Sequence, residues 1–486
     1  MSAAGRPVDR SGEYAVIGLG KSGRSAAELL RREGARVYAS DSGTSPAAQQ
    51  AASELRALGV EVDVASHDLE RIGRAARVVA SPGVPPNAPP LARARAAGVP
   101  VVGEIEVALW FLPATRIIAI TGTNGKTTTT ALIGSLLRAL GKDTIDAGNI
   151  GTPLAAVALG GKHPEWIALE LSSFQLHDTP SIAPDVGVVT NLSPDHLDRY
   201  ATVDEYYQDK ALIFRNMSAR SKWVLNADDP ATLTLARRLP ESAAPAVERG
   251  ASWPLGTTSR FSLAAPTDAW YDRSARQLVV LGAPLLDRDA LTLFGDHNVA
   301  NALAASLAVM VADESHRTPE ARAKIAAGLG KFTALKHRLE VAGEFGGVQW
   351  INDSKATNVS STLVAVEGMT RPTVLLLGGR HKGEPYTALA PAIAKNCRAV
   401  VAYGESAEII ERDLGKLVPV ERSGSDFEAV IARARALARP GDAVLLSPAC
   451  SSYDMFNNYE ERGAEFKRLA AAGTRRGERA STGGVR

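Results

Sequence analysis

Apolar, β-branched runs recur along the chain, each leading into a turn of glycine and polar residues and, in most cases, on to apolar residues at helical spacing. The clearest instance is Ile117-Ile118-Ala119-Ile120. It passes through Thr121-Gly122-Thr123-Asn124-Gly125 into Lys126, Thr127 and Thr128, then Ala131-Leu132-Ile133 and Leu136-Leu137. A buried strand, a Gly-rich turn, a Lys-Thr pair and a helix together describe a phosphate-binding loop. Glycines let backbone N–H groups approach phosphates, and the helix N-terminus adds its positive dipole end. Lys126 is placed to reach the terminal phosphates and the Thr127 hydroxyl to hold Mg²⁺. The usual spacing has a Gly where Ile120 stands, so the loop is a shortened variant.

The same rhythm precedes and follows this stretch. Tyr14-Ala15-Val16-Ile17 leads through Gly18-Leu19-Gly20-Lys21-Ser22-Gly23 into the helical Ala26–Leu30, and a second strand ends at Ser40-Asp41. A G-x-G-x-x-G turn with an acid at the next strand end is a Rossmann-like opening, for NAD or for any diphosphate-bearing nucleotide. Ser81-Pro82-Gly83 follows another strand, where open α/β sheets place ligands, although a plain loop reads nearly as well. Further on, Trp166–Leu171 and Val186–Asn191 read as buried parallel strands. Glu170 interrupts the first of them, and buried carboxylates are rare unless paired or metal-bound. Asp195, His196 and Asp198 follow the second. Glu170 and His196 are therefore candidate metal groups beside Thr127, but Mg²⁺ prefers oxygen, and a satisfied structural histidine is the alternative.

The stretch from Pro230 to Leu291 is Ala/Pro-rich and gives no clear pattern. Asn298 and Asn301 share a face at the opening of a helix over Ala302–Val311, placed to read a purine edge or merely to cap. Arg338 then precedes a hairpin, Glu340-Val341 to Trp350-Ile351, which ends in Asn352-Asp353-Ser354-Lys355-Ala356-Thr357-Asn358. Strands at Thr373–Leu377, Arg398–Tyr403 and Ala443–Leu446 again carry polar groups at their C-terminal ends. The Arg/Gly/Ser-rich tail from Gly473 reads as disordered. The predicted fold class is α/β with three domains: Rossmann-like over 1–113, P-loop ATPase-like over 114–334, and a C-terminal Rossmann-like domain over 335–472, followed by the tail, 473–486.

Composition narrows the partners. A net charge of +2 and 5% aromatic residues make no case for nucleic acid or an anionic membrane. No apolar run is long enough to span a bilayer, and the polar N-terminus lacks a signal core. Two cysteines, Cys397 and Cys450, are too few for a disulfide framework or a zinc site. The expectation is a cytoplasmic protein.

One combination is far more specific than its parts. GTNGKTT, GNIG (Gly148–Gly151), LELSSFQL, NLSPDHLDRY, GDHN, INDSKATN, LLLGG and LLSPACSSYDMF run in order over nearly the whole chain, which resembles the Mur ligases. INDSKATN with LSPACSSYDMF resembles the branch that adds D-glutamate. The resemblance implies an ATP- and Mg²⁺-dependent amide ligase of peptidoglycan synthesis that acts on small-molecule substrates, and the expected state is a monomer. It implies that Gly18, Leu19, Gly20, Lys21, Ser22, Asp41, Ser42 and Ser81 hold the UDP of UDP-MurNAc-L-Ala, with Asn149 at the muramoyl end. Gly122, Thr123, Asn124, Gly125, Lys126, Thr127 and Thr128 would hold ATP phosphates, with Asn298 and Asn301 at adenine, Asp353 at ribose, and Arg338 and Lys355 at phosphates. D-Glutamate would meet Thr357, Lys382, Ser452, Tyr453 and Tyr459, the last a position where the family more often has Phe. The catalytic set would be Lys126, Glu170, His196 and Lys210, with Thr127, Glu170, His196 and Lys210 serving the metal ions. Lys210 matches the lysine the family carbamylates with CO₂, giving an oxygen ligand suited to Mg²⁺. Without the resemblance, it reads as a surface lysine in an acidic helix. The rivals are a sibling or folylpolyglutamate synthetase-like ligase with another acceptor, an NAD-dependent oxidoreductase, which leaves the phosphate loop unexplained, and a nucleotide switch, which for GTP lacks an N-K-x-D motif.

Overall fold

The computed structural model describes residues 10–112, 115–161, 163–195, 199–244 and 253–481. Three sheets carry the strands. The first comprises β1 (Glu13–Ile17), β2 (Arg36–Asp41), β3 (Glu61–Val64), β4 (Arg77–Ala80) and β5 (Val101–Gly103), in the order β3-β2-β1-β4-β5 and all parallel. The chain starts in the middle, winds outward to β3, and returns to the other side of β1 at β4. That reversal parts the loops after β1 and β4 and opens a crevice at their C-terminal ends.

The second sheet contains β6 (Arg116–Thr121), β7 (Thr144–Gly148), β8 (Trp166–Glu170), β9 (Val186–Val189), β10 (Lys222–Asn226), β11 (Thr257–Ser262), β12 (Ala269–Asp272), β13 (Gln277–Val280) and β14 (Ala283–Asp287). Its order is β14-β13-β12-β11-β10-β9-β6-β8-β7. Ile118, Ala119 and Ile120 of β6 and Ile167, Ala168 and Leu169 of β8 have no exposed surface, which is why these strands read as unbroken apolar runs. Each large aliphatic side chain so buried contributes about 1.5–3 kcal/mol. The stretch that gave no pattern in sequence holds β11, which pairs with β10, and then β12 to β14, these three an antiparallel meander. Its β13–β14 turn is Leu281-Gly282, with φ of 50° and 74°. A two-residue turn with both residues at positive φ is a normal hairpin device, but it is usually signalled by Asn-Gly or Asp-Gly, not by leucine.

The third sheet comprises β15 (Glu340–Phe345), β16 (Val348–Asn352), β17 (Thr373–Gly378), β18 (Cys397–Tyr403), β19 (Val420–Arg422) and β20 (Ala443–Leu446), ordered β15-β16-β20-β17-β18-β19. The predicted hairpin is present as β15 and β16, and the other pairings are parallel. Because β16, β20 and β17 are neighbours, the polar loops that leave their C-terminal ends lie along one edge. The first two sheets belong to one compact unit and the third to another, which also takes in Ser193–Val203 and Asp289–Val299.

Two helices run further than the sequence indicated. The one expected over Ala302–Val311 spans Asp296–Ala312. The helix Tyr459–Ser481 runs past Gly473, where the tail expected to be disordered begins, and residues 482–486 lie outside the described residues. Among the described residues no helix is long and apolar enough to cross a membrane.

Candidate active site

The crevice of the first sheet is a cavity of about 710 Å³. All of the residues expected at a UDP group line it except Leu19, which is buried. The turn after β1 is held by contact as well as by conformation: a Cβ at Gly23 would stand 1.9 Å from the Gly18 carbonyl oxygen, so no other residue fits there. The Leu19 N–H donates to Asp41 Oδ2 and the Gly43 N–H to Asp41 Oδ1, both at 2.7 Å. Asp41 therefore ties the β1 and β2 loops together from the edge of the cavity. His67, which sequence reasoning passed over, lines the cavity too.

The second sheet builds the loop expected to hold phosphates. Helix Lys126–Ala139 starts at Gly125 with no side-chain cap, which leaves its first turn suited to an anion. Gly122 sits at φ 138°, and a Cβ there would lie 2.1 Å from Thr190 Oγ1. Thr190 and Asn191, at the end of β9, clamp the loop. The Asn124 N–H donates to Asn191 Oδ1 (2.9 Å), while Asn191 Nδ2 (3.0 Å) and Thr190 Oγ1 (2.6 Å) donate to the Asn124 carbonyl. Lys126 Nζ donates across the loop to the carbonyls of Gly122 (2.9 Å) and Thr123 (2.7 Å). Thr127 and Thr128 are buried at the start of the helix.

Lys210 is where the surface reading fails. It is 1% exposed, its Nζ donates to the Gly122 carbonyl at 2.7 Å, and it lies 4.5 Å from the centre of the Tyr206 ring. The helix Val203–Ala211 turns this one cation inward onto the back of the phosphate loop. Glu170 is likewise 1% exposed. It pairs in register with Ile120, which puts its carboxylate beside the loop. Oε1 accepts from Asn149 Nδ2 at 2.8 Å, so Asn149 both lines the first cavity and holds Glu170. Oε2 is buried and has no hydrogen-bond partner among the described residues. An orphaned, buried carboxylate oxygen is a hard donor of the kind Mg²⁺ takes. His196 lies outside the described residues. Asn301 braces the loop: its Oδ1 accepts from the Thr129 hydroxyl at 3.2 Å, and a Cβ at Gly125 would come within 2.4 Å of it. Asn298 Nδ2 donates to the Phe294 carbonyl at 2.8 Å.

In the other unit, Lys382 Nζ donates to Thr357 Oγ1 at 3.3 Å, bringing two of the residues expected at D-glutamate together. Ser452 is buried, Tyr453 is 65% exposed, and Tyr459 packs edge-on to His337 with Lys355 Nζ 5.3 Å from its ring centre. Asp353 is enclosed: Oδ1 accepts from the Leu339 N–H (3.2 Å) and Oδ2 from the Ser447 hydroxyl (2.9 Å). Burial pushes its carboxyl up to about 7, against the pull of Ser447 and of Arg338 nearby. Two groups here had no sequence signal. Arg462 is fully buried and donates to Ser354 Oγ (2.9 Å), the Ser354 carbonyl (2.8 Å) and the Cys450 carbonyl (3.2 Å), joining the loops after β16 and β20. Glu384 has an orphaned buried Oε1 among the described residues, and burial together with Asp195 pushes its carboxyl up to about 7.

Glu104 offers a pH test. It is 2% exposed, accepts the Ala155 N–H at the start of the helix that follows the Gly148–Gly151 turn, and is raised from 4.5 to about 7 by burial. The folded state thus keeps a proton that the unfolded chain releases between about pH 4.5 and 7, and stability falls as pH rises through that window. Glu104→Gln keeps the acceptor and removes the charge. It is expected to stabilise the protein at pH 8 by up to about 3 kcal/mol, at ~1.4 kcal/mol per pKa unit, and by little at pH 4.5. Denaturant melts at the two pH values measure this, and an equal effect at both would contradict it.

Three family models match in chain order: "Mur ligase MurD-like, N-terminal domain" over residues 12–103, "Mur ligase middle domain" over 120–309, and "Mur ligase, glutamate ligase domain" over 337–450. The fold is that of other Mur ligases. UDP-N-acetylmuramate-alanine ligase MurC from Thermotoga maritima superposes with a TM-score of 0.58 at 20% identity, over 95% of this chain and 100% of that one. A UDP-N-acetylmuramoylalanine–D-glutamate ligase of Anaeromyxobacter dehalogenans is 42% identical over 94% of this chain and 96% of its own length. One from Salinibacter ruber is 40% identical over 93% and 96%. The chain belongs to the Mur ligase family, and within it to the group of UDP-N-acetylmuramoylalanine–D-glutamate ligases.

Proposed function

We propose that this enzyme joins D-glutamate to UDP-N-acetylmuramoyl-L-alanine at the expense of ATP, in the synthesis of peptidoglycan precursors. The observation that carries the reading is the near-full-length identity of about 40% to ligases of that name. A carboxylate does not react with an amine in neutral water, because it is anionic and its oxygen is a poor leaving group. Transfer of the γ-phosphoryl of ATP to the L-alanyl carboxylate gives an acyl phosphate and ADP. The D-glutamate amine attacks the acyl carbon, a tetrahedral intermediate forms, and loss of phosphate and a proton leaves the amide. Such chemistry needs positioning and charge neutralisation more than covalent help.

The division of labour follows the site. The first cavity takes the UDP group, and Asn149 the sugar end. The loop of Gly122–Thr128 cradles the ATP phosphates, with Lys126 neutralising charge that grows on the transferring group. Mg²⁺ shields phosphate charge when bound, and Thr127 and Glu170 would hold it, joined by His196 and by Lys210 as a carbamate. The buried position of Lys210 at the loop supports that modification, since a carbamate there replaces a cation by oxygen donors. Asn298, Asn301, Arg338, Asp353 and Lys355 serve the nucleotide, and Thr357, Lys382, Ser452, Tyr453 and Tyr459 the amino acid. The enzyme acts in the cytoplasm as a monomer.

Phosphate release from ATP and Mg²⁺ in the presence of UDP-MurNAc-L-Ala, with D-Glu, L-Glu, L-Ala or diaminopimelate supplied in turn, tests the reading. Release is expected only with D-Glu and the UDP-sugar together. Release with another amino acid would move the enzyme to a sibling reaction. Lys382→Ala is expected to raise KM for D-glutamate by about tenfold or more while changing that for ATP little, because the lysine pairs with a substrate carboxylate. Equal changes in both constants would assign Lys382 to the nucleotide.

A further inference from the structure

We propose that His67 reads the pyrimidine of the nucleotide held in the first cavity, donating a hydrogen bond from Nε2 to the ring's C4 carbonyl. The inference rests on the reading that this cavity takes a uridine diphosphate group. His67 stands in the loop after β3 and lines the cavity alongside Asp41 and Ser42. Its Nδ1 is 2.8 Å from Ser40 Oγ.

Ser40 decides which nitrogen carries the proton. It has no exposed surface, its hydroxyl lies 2.8 Å from His67 Nδ1, and the Tyr38 hydroxyl, which it also approaches, is already engaged by the Asp68 N–H and by Asp63. A buried hydroxyl left without an acceptor forfeits the hydrogen bond it made to water, so the Ser40 proton goes to Nδ1. Partial burial favours the uncharged ring, outweighing the pull of Asp41 and Asp63. In the neutral tautomer that accepts at Nδ1, the proton sits on Nε2.

Beside Asp41, that donor has a distinct use. The pairing edge of uracil presents acceptor, donor, acceptor, and cytosine replaces the C4 oxygen by an amino donor. Asp41 offers acceptors only, and its two oxygens already take the N–H groups of Leu19 and Gly43. A carboxylate can meet the ring N–H, but it opposes a carbonyl. His67, fixed by a buried serine, supplies the opposite polarity. A site so built accepts the C4 carbonyl and turns away the C4 amino group, which would face it donor to donor.

Calorimetric titration of the full chain with UDP and with CDP, in saturating ADP and Mg²⁺ so that the phosphate loop is filled, tests this. The unmodified chain is expected to prefer UDP by about tenfold or more, the usual range for one polar contact that only one ligand can make. His67→Ala is expected to weaken UDP about tenfold and CDP hardly at all, collapsing the preference. Ser40→Ala, which frees the ring to change tautomer, is expected to lower the preference by a few-fold. Equal weakening of UDP and CDP would mean a structural role and would overturn the proposal. Unchanged UDP binding in His67→Ala would overturn it too, while leaving the cavity's assignment intact. If the unmodified chain does not bind UDP, the assignment of the cavity falls and the proposal with it.

Discussion

Lys126→Ala is expected to lower turnover about a hundredfold or more, with the protein still folded, because losing one donor aimed at developing charge typically has that effect. The structure sharpens the expectation. Lys126 is the first residue of the helix after the loop, and its ammonium group lies over the Gly122 and Thr123 carbonyls. It is thus held at the loop rather than left to sample solvent. Lysine carries a compact charge, so a point cation near the transferring phosphoryl is what alanine would delete. Initial rates of phosphate release at saturating substrates measure the loss, with a thermal melt to show that the fold survives. A near-normal rate would remove the phosphate-loop assignment.

Glu170→Gln is expected to lower turnover by a comparable factor and to raise the Mg²⁺ concentration required for half-maximal rate. The substitution keeps the volume and leaves an acceptor for Asn149, whose bond to Oε1 is 2.8 Å. What it removes is the charge at Oε2, the buried oxygen without a partner among the described residues. Isolated carboxylates are costly to bury, so the role expected of one beside this loop is to face a bound cation. A rate that falls without any change in Mg²⁺ dependence would make Glu170 a brace for Asn149 and not a metal group. The two variants therefore probe different halves of the same loop.

Much of this site was legible along the chain because it is local. The strand–Gly–Lys–Thr pattern of residues 117–128 carries its own geometry, and so does the glycine turn over residues 18–23. Even Glu170 announced itself, as a carboxylate inside an apolar strand. Lys210 did not: its partner, Gly122, is 88 residues away, and its helix looks acidic and solvent-facing by itself. Arg462 reaches Ser354 across 108 residues, from a helix whose sequence is polar throughout its first turn. Asp353 is as legible in sequence as any loop acid, yet both its oxygens are used inside the fold.

The amino-acid sequence by itself determined the alternation of strand and helix, the three-sheet organisation, the phosphate loop and the membership of a ligase family. Each of these is written in near neighbours: apolar periodicity, glycine where the backbone must turn or approach closely, and ordered motifs. Only the tertiary structure decided which polar side chains are buried and what they face. Strand order brought the loops after β16, β20 and β17 to one edge, made Glu170 a neighbour of the phosphate loop, and set Ser40 beneath His67. The physical reason is that desolvation and hydrogen-bond partnership depend on what surrounds a group in space, and for these residues the surroundings come from distant parts of the chain.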